Sequence, residues 1–258
     1  KLLGFLIGWL IILTGVTSAA TVALGFGGYF KGLFGAPIIL TAIIFIAILS
    51  YINFRGIRDS SRFNVLFTAV EITGLVIVIA LGFAMFGKSE VNLLEMTNGT
   101  KGLLAAAVLV FFAYIGFEDI ANISEETRRP KKVLAKAFIL AVIITTLLYV
   151  LTSIAVVNLA TPSELSLSKS PLAFAVSKTF LGEKAFTLLS YIALFATANT
   201  VLVILIVGAR MMYGMAKGGS LPRFLGKIHK ARRTPHFAIA VAMLLSLVFL
   251  FFGEIGVI

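Results

Sequence analysis

Apolar runs long enough to cross a bilayer recur along the chain, separated by stretches in which charge is concentrated. A membrane-spanning helix needs about 20 predominantly apolar residues at about 1.5 Å each. By that measure the pattern predicts seven spans, over about residues 2–25, 36–52, 64–86, 102–125, 134–158, 185–214 and 236–258. The expected fold class is an all-α membrane protein, a single transmembrane domain over residues 1–258 with no room for a soluble one. Residues 170–181 read as a short amphipathic helix outside the membrane, with Pro171 at its first position. It either caps an outer vestibule or lies flat in the interface.

Composition supports the membrane reading. Of 258 residues, 60% are hydrophobic and 13% charged, and the mean hydropathy is +1.08. A soluble domain of this size could not hide so much apolar surface. The absence of cysteine excludes disulfides, thiol chemistry and cysteine metal sites. The net charge of +11 raises nucleic acid as a partner, but its placement argues against that. All nine arginines fall in or beside the connections at 53–63, 127–132 and 216–235, which follow the second, fourth and sixth spans. Such alternation marks cytoplasmic loops. It puts Lys1 inside and Ile258 outside, in an integral, multi-pass protein of the cell membrane and its lipid bilayer. Lys1, the apolar run after it and Thr17-Ser18-Ala19-Ala20 also resemble a signal peptide. Because the run continues through Val22 and Leu24, a true span is expected, in a chain truncated at its front.

The fourth span carries the most chemistry. Phe112, Ala113, Tyr114, Ile115 and Gly116 lie near its middle, followed by Glu118 and Asp119. Carboxylates within a span are expensive and mark a path or a site. A helix that opens here would offer free amides and carbonyls to a zwitterion, with Phe112 or Tyr114 closing over it. Its alternative is an ordinary span with a glycine packing contact. Glu71 lies about 10 Å inside the third span and Glu118 at similar depth, which makes both candidates for carrying a proton. Thr197, Asn199 and Thr200 in the sixth span either line a polar path or bond to adjacent helices. Gly4 and Gly8 read as helix packing, Trp9 as an interfacial anchor, and His229 and His236 as solvated rather than ligands. The sequence shows no nucleophile elbow, phosphate loop or histidine–carboxylate metal cluster, so no enzyme, cofactor or metal is expected.

These segments resemble amino-acid permeases of the amino acid–polyamine–organocation superfamily. Phe111 to Asp119, followed by Glu125-Glu126-Thr127-Arg128-Arg129-Pro130-Lys131-Lys132, is similar to that family's sixth helix and next loop. Gly4 to Trp9 resembles the start of its third helix. Asn53-Phe54-Arg55-Gly56 and Arg62-Phe63-Asn64 resemble the loop between helices four and five. Arg210 to Lys217, Leu221-Pro222 and Thr234-Pro235 resemble the end of helix eight and its loop. The resemblance implies helices three to nine of a 5+5 inverted-repeat transporter, lacking the first two and the last. It also implies that Phe112 to Gly116 bind an amino acid or related amine. An acid matching Glu118 occurs in some exchangers, and some proton-coupled members have a lysine where Glu71 aligns. The implied function is secondary active amino-acid transport by alternating access, with proton symport and solute exchange (antiport) as the two alternatives. A seven-helix receptor or sensor is the reading from a different class.

Overall fold

A computed structural model describes residues 2–86, 99–114, 130–168 and 170–253. Every regular element among them is helical: α1 (Leu2–Phe34), α2 (Ile38–Arg55), α3 (Ile57–Ala84), α4 (Gly99–Phe112), α5 (Pro130–Leu159), α6 (Pro162–Leu167), α7 (Pro171–Ser177), α8 (Glu183–Lys217) and α9 (His236–Gly253). A 3-10 turn over Arg223–Gly226 lies between α8 and α9. Five helices are long and apolar enough to cross a membrane: α1, α2, Asn64–Ala84 of α3, Val133–Leu159 of α5, and α8. His236–Phe252 is a shorter apolar helix. The chain is an all-α, multi-pass integral membrane protein.

The helices overrun the apolar runs that predicted them. The first extends past residue 25 to Phe34, through the expected connection. Two contacts hold the added turns. Phe26 stacks on Phe45 of α2 with ring centroids 3.7 Å apart, and a Cβ on Gly27 would stand 2.6 Å from the Ile38 carbonyl oxygen. Only glycine permits that approach. The third helix begins at Ile57 rather than at residue 64, so its charged first turns continue an apolar span. The fourth ends at Phe112, followed by a turn at Ala113 and Tyr114. Residues 115–129, within which its expected continuation falls, lie outside the described residues.

Two apolar clusters organise the bundle. The larger joins α1, α2, α8 and α9 through residues such as Ile12, Val16, Ile46, Leu202, Leu205 and Met212. In it Gly8 faces Met215, whose Sδ would lie 2.8 Å from an added Cβ, whereas Gly4 faces open space. The smaller joins α3, α5, α7 and α8 through Val78, Leu81, Ala155, Val176 and Leu189, among others. With 35 residues, α8 is about 52 Å long and serves both clusters. The small side chains Ala173 and Ala175 of α7 are fully buried, so that helix is a packed part of the bundle.

Helix α6 was not expected within the connection 159–184, although its start is written in Thr161-Pro162-Ser163-Glu164. The Thr161 hydroxyl accepts from the Glu164 backbone N–H at 3.4 Å, while the Thr161 N–H donates to Glu164 Oε2 at 3.0 Å. These bonds form a capping box. Glu164 also pairs with Lys178 just beyond α7. The Lys178 ammonium first, then the Thr161 backbone and hydroxyl donors, pull the Glu164 carboxyl down to about 2. A depressed carboxylate contributes stability above its unfolded value of about 4.3 and loses it as pH falls toward 2. The Glu164 carboxyl resonance is therefore expected to titrate near pH 2, and at a higher pH in Lys178→Gln, where only the Thr161 donors remain. Identical midpoints in the two proteins would refute the pairing.

The two histidines are half-buried, with rings packed on aromatic neighbours. The His229 ring stands edge-on to Phe54 at 5.2 Å and to His236 at 5.6 Å. The Pro235-bounded loop folds back on α2, which a reading of local polarity does not anticipate.

Candidate functional site

A polar seam runs between the two apolar clusters. Asn64, Thr68 and Glu71 recur at intervals of four and three along α3, which puts them on one face of the helix. That face meets Asn199 of α8, an 8% exposed residue. Asn199 Oδ1 accepts from Asn64 Nδ2 at 2.8 Å, and its own Nδ2 donates to Thr68 Oγ1 at 3.1 Å. The half-buried Glu71 side chain lies near the same Asn199 amide. One amide thus sits among three polar groups of a neighbouring helix, with Asn64 on its oxygen and Thr68 on its nitrogen.

The seam continues to the end of α4. Tyr149 of α5 lies close enough to Glu71 and to Tyr114 for both to act on it electrostatically. Its hydroxyl donates to the Ala113 carbonyl oxygen at 3.1 Å. The Tyr114 hydroxyl donates to Thr146 Oγ1 at 2.9 Å, and the two tyrosine rings meet edge-on at 5.4 Å. Around this point the helical ladder tightens. The Ala113 N–H reaches back three residues to Val110 and the Tyr114 N–H three to Phe111, each at 3.0 Å. Helix-end carbonyls can take side-chain donors, and the phenol of Tyr149 is one for Ala113.

Of the residues expected from sequence, Glu71, Ala113, Tyr114 and Asn199 are brought to this seam. Phe112 closes α4 through its backbone. Ile115, Gly116, Glu118 and Asp119 lie outside the described residues. Thr200 is exposed and its hydroxyl donates to the Ala196 carbonyl at 3.2 Å, turned away from Asn199. Thr197 likewise bonds its own helix, at the Ala193 carbonyl. Sequence reasoning did not single out Asn64, Thr68, Thr146 or Tyr149. The 64–68–71 spacing was a usable signal for the first two; the tyrosine and threonine of α5 had none, since their role depends on which helix lies opposite.

The seam can hold polar groups in the membrane without leaving them unpaired. It sets a carboxyl group near an amide, next to a helix end whose Ala113 carbonyl accepts from the Tyr149 phenol. Among the described residues no group of histidines and acids could hold a metal ion.

Comparison with known proteins places the chain among transporters. A family model described as amino acid permease matches residues 1–258. The chain is 29% identical over 255 residues to the methylthioribose transporter of Bacillus subtilis, covering 91% of this chain and 54% of that protein. It is 27% identical over 260 residues to a branched-chain amino acid permease of the same organism, covering 92% and 55% respectively. It is 31% identical over 265 residues to the large neutral amino acids transporter small subunit 2 of Mus musculus, covering 96% and 50%. The chain spans about half the length of these relatives.

Proposed function

This chain belongs to the amino acid permease family, and on that premise we propose that it serves secondary active transport of amino acids or related amines by alternating access. The observation that carries the reading is the end of α4, where the Ala113 carbonyl accepts from the Tyr149 phenol at the border of the Asn199–Glu71 cluster. A solute ammonium is a stronger donor than a phenol and can replace it. Phe112 to Gly116 are the segment assigned to the solute, with Asn199 lining the path; Thr200 keeps that role only toward the side of α8 away from Asn199. Glu71 is the proposed proton carrier. A carboxyl group within a bilayer is cheaper neutral than charged, and the amide donors of Asn199 support it when charged, so both states are accessible. Glu118 is the second candidate from sequence.

The relatives reported above are named as transporters or permeases, and the receptor alternative draws no support from them. The test is radiolabelled amino-acid uptake by the full-length protein in liposomes, with and without an inward proton gradient. The gradient is expected to raise uptake several-fold, and Glu71→Gln to make uptake indifferent to it. Gradient-independent uptake in the unmodified protein would remove proton coupling and leave exchange. Failure of any amino acid or amine to bind or move would remove the transport assignment. Tyr149→Phe is expected to alter apparent solute affinity more than maximal rate, because it removes the phenol that donates to the Ala113 carbonyl.

A further inference from the structure

The connection between α8 and α9 carries a charged surface that shares no residue with the polar seam. Residues 218–235 join two apolar helices, so the segment lies at a membrane surface, whichever side that is. It has a defined fold. Leu225 of the 3-10 turn is 5% exposed and anchors it in the larger apolar cluster. Beyond it the chain closes a tight turn. The His229 N–H donates to the Thr234 carbonyl at 2.9 Å, and the Arg233 N–H to the His229 carbonyl at 2.8 Å. The Arg232 N–H donates to His229 Nδ1 at 3.2 Å. The Thr234 hydroxyl, on a residue only 4% exposed, donates to the Phe54 carbonyl at 3.1 Å and pins the turn to the end of α2.

The tip of this turn holds Lys230, Arg232 and Arg233, all exposed. Arg233 has a backbone φ of 57°, the only positive value at a non-glycine residue among the described residues. A long side chain in that region is disfavoured and is retained where surrounding structure imposes it. Arg223 and Lys227 add to the same surface. Among the described residues no carboxylate forms an ion pair with any of these five cations. The sequence holds no acidic residue between Lys184 and Gly253. Beside the cations, three large apolar side chains are exposed: Phe224 at 44%, Ile228 at 46% and Phe237 at 40%. Phe224 and Phe237 meet edge-on at 5.9 Å.

We propose that this turn is a docking surface for anionic phospholipid headgroups, with Lys230, Arg232 and Arg233 on the phosphates and Phe224 and Ile228 at the acyl boundary. Charge complementarity and the position between two spanning helices select the occupant. A basic surface with apolar side chains at its foot fits a lipid leaflet, whereas a soluble acidic partner would leave those side chains in water. Each cation near an anionic leaflet contributes about a fivefold preference, screened by salt. The surface is independent of the transport reading, since it uses none of the residues of the polar seam.

The experiment uses the full-length protein in phosphatidylcholine bilayers containing spin-labelled phosphatidylglycerol or spin-labelled phosphatidylcholine, with the motionally restricted fraction read by electron spin resonance. The expected result is at least about a fivefold preference for phosphatidylglycerol that falls with added salt. In Lys230→Gln/Arg232→Gln/Arg233→Gln the preference is expected to fall by about fivefold or more, while Lys178→Gln/Lys184→Gln retains it. Arg232→Lys/Arg233→Lys, which keeps the charge, is expected to stay near the unmodified value and separates loss of charge from misfolding. Equal retention of the two lipids by the unmodified protein, or an unchanged preference in the triple glutamine variant, would overturn the proposal.

Discussion

Asn199→Leu is expected to reduce uptake by the full-length protein at least tenfold and to lower stability by about 1–3 kcal/mol. The leucine is close in size to asparagine but accepts and donates nothing. Asn64 Nδ2 would lose the acceptor it reaches at 2.8 Å, Thr68 the donor at 3.1 Å, and Glu71 the amide near it. Replacing one partner leaves the others with desolvation costs and no bond, which exceeds what the hydrogen bond itself contributes. Relaxation of Glu71 toward another donor would also change the charge beside Tyr149. Uptake assays together with detergent-stable melting measurements check this. Uptake and melting both close to those of the unmodified protein would mean that the seam has no role in transport and little in stability. If melting falls but uptake does not, Asn199 is a packing residue and the path lies elsewhere.

The second large effect is structural. A Cβ added at Gly82 would stand 2.4 Å from the Ala155 Cβ, 2.6 Å from its Cα and 2.9 Å from its carbonyl oxygen. Two of those three atoms belong to the backbone, so α3 and α5 must move apart. The Gly82 carbonyl also accepts a buried hydrogen bond from Asn158 Nδ2 at 2.9 Å, which the displacement would stretch. Overpacking costs about 1–3 kcal/mol and the bond about 1 kcal/mol. The gain in helix propensity from removing a glycine is only about 1 kcal/mol. Gly82→Ala should therefore destabilise by about 1–3 kcal/mol, and Gly82→Leu should leave little folded protein by size-exclusion chromatography. Ala155→Gly is expected to restore part of the loss in Gly82→Ala by removing the nearest of the three contacts. A Gly82→Ala protein as stable as its parent would show that the two helices are not held at this distance.

The larger features follow from local pattern. Runs of apolar residues specify which segments cross the bilayer, because the cost of burying charge in hydrocarbon depends on composition alone. Helix α6 also begins at a signal that four residues, Thr161 to Glu164, contain in full. Helix ends are less legible. The extension of α1 to Phe34 rests on Phe45 and Ile38 in another helix, and the charged start of α3 is helical although its composition resembles a connection. The half-burial of His229 likewise involves Phe54, 175 residues away in the chain.

For the candidate site the division is similar. Glu71, Tyr114 and Asn199 stand out in the sequence as polar or aromatic groups inside apolar segments, since each is costly there and calls for a partner. Which partner could not be read. Asn199 finds Asn64 across 135 residues, and Tyr149 finds Ala113 across 36. The sequence by itself determined that this is a helical membrane protein with polar groups in its spans, because transfer energies into hydrocarbon are properties of single residues and short runs. Only the tertiary structure decided which of those groups share a hydrogen bond and which, such as Thr200, turn back on their own helix. Hydrogen bonds reach about 3 Å, and a distance that short between remote residues is set by how whole helices pack.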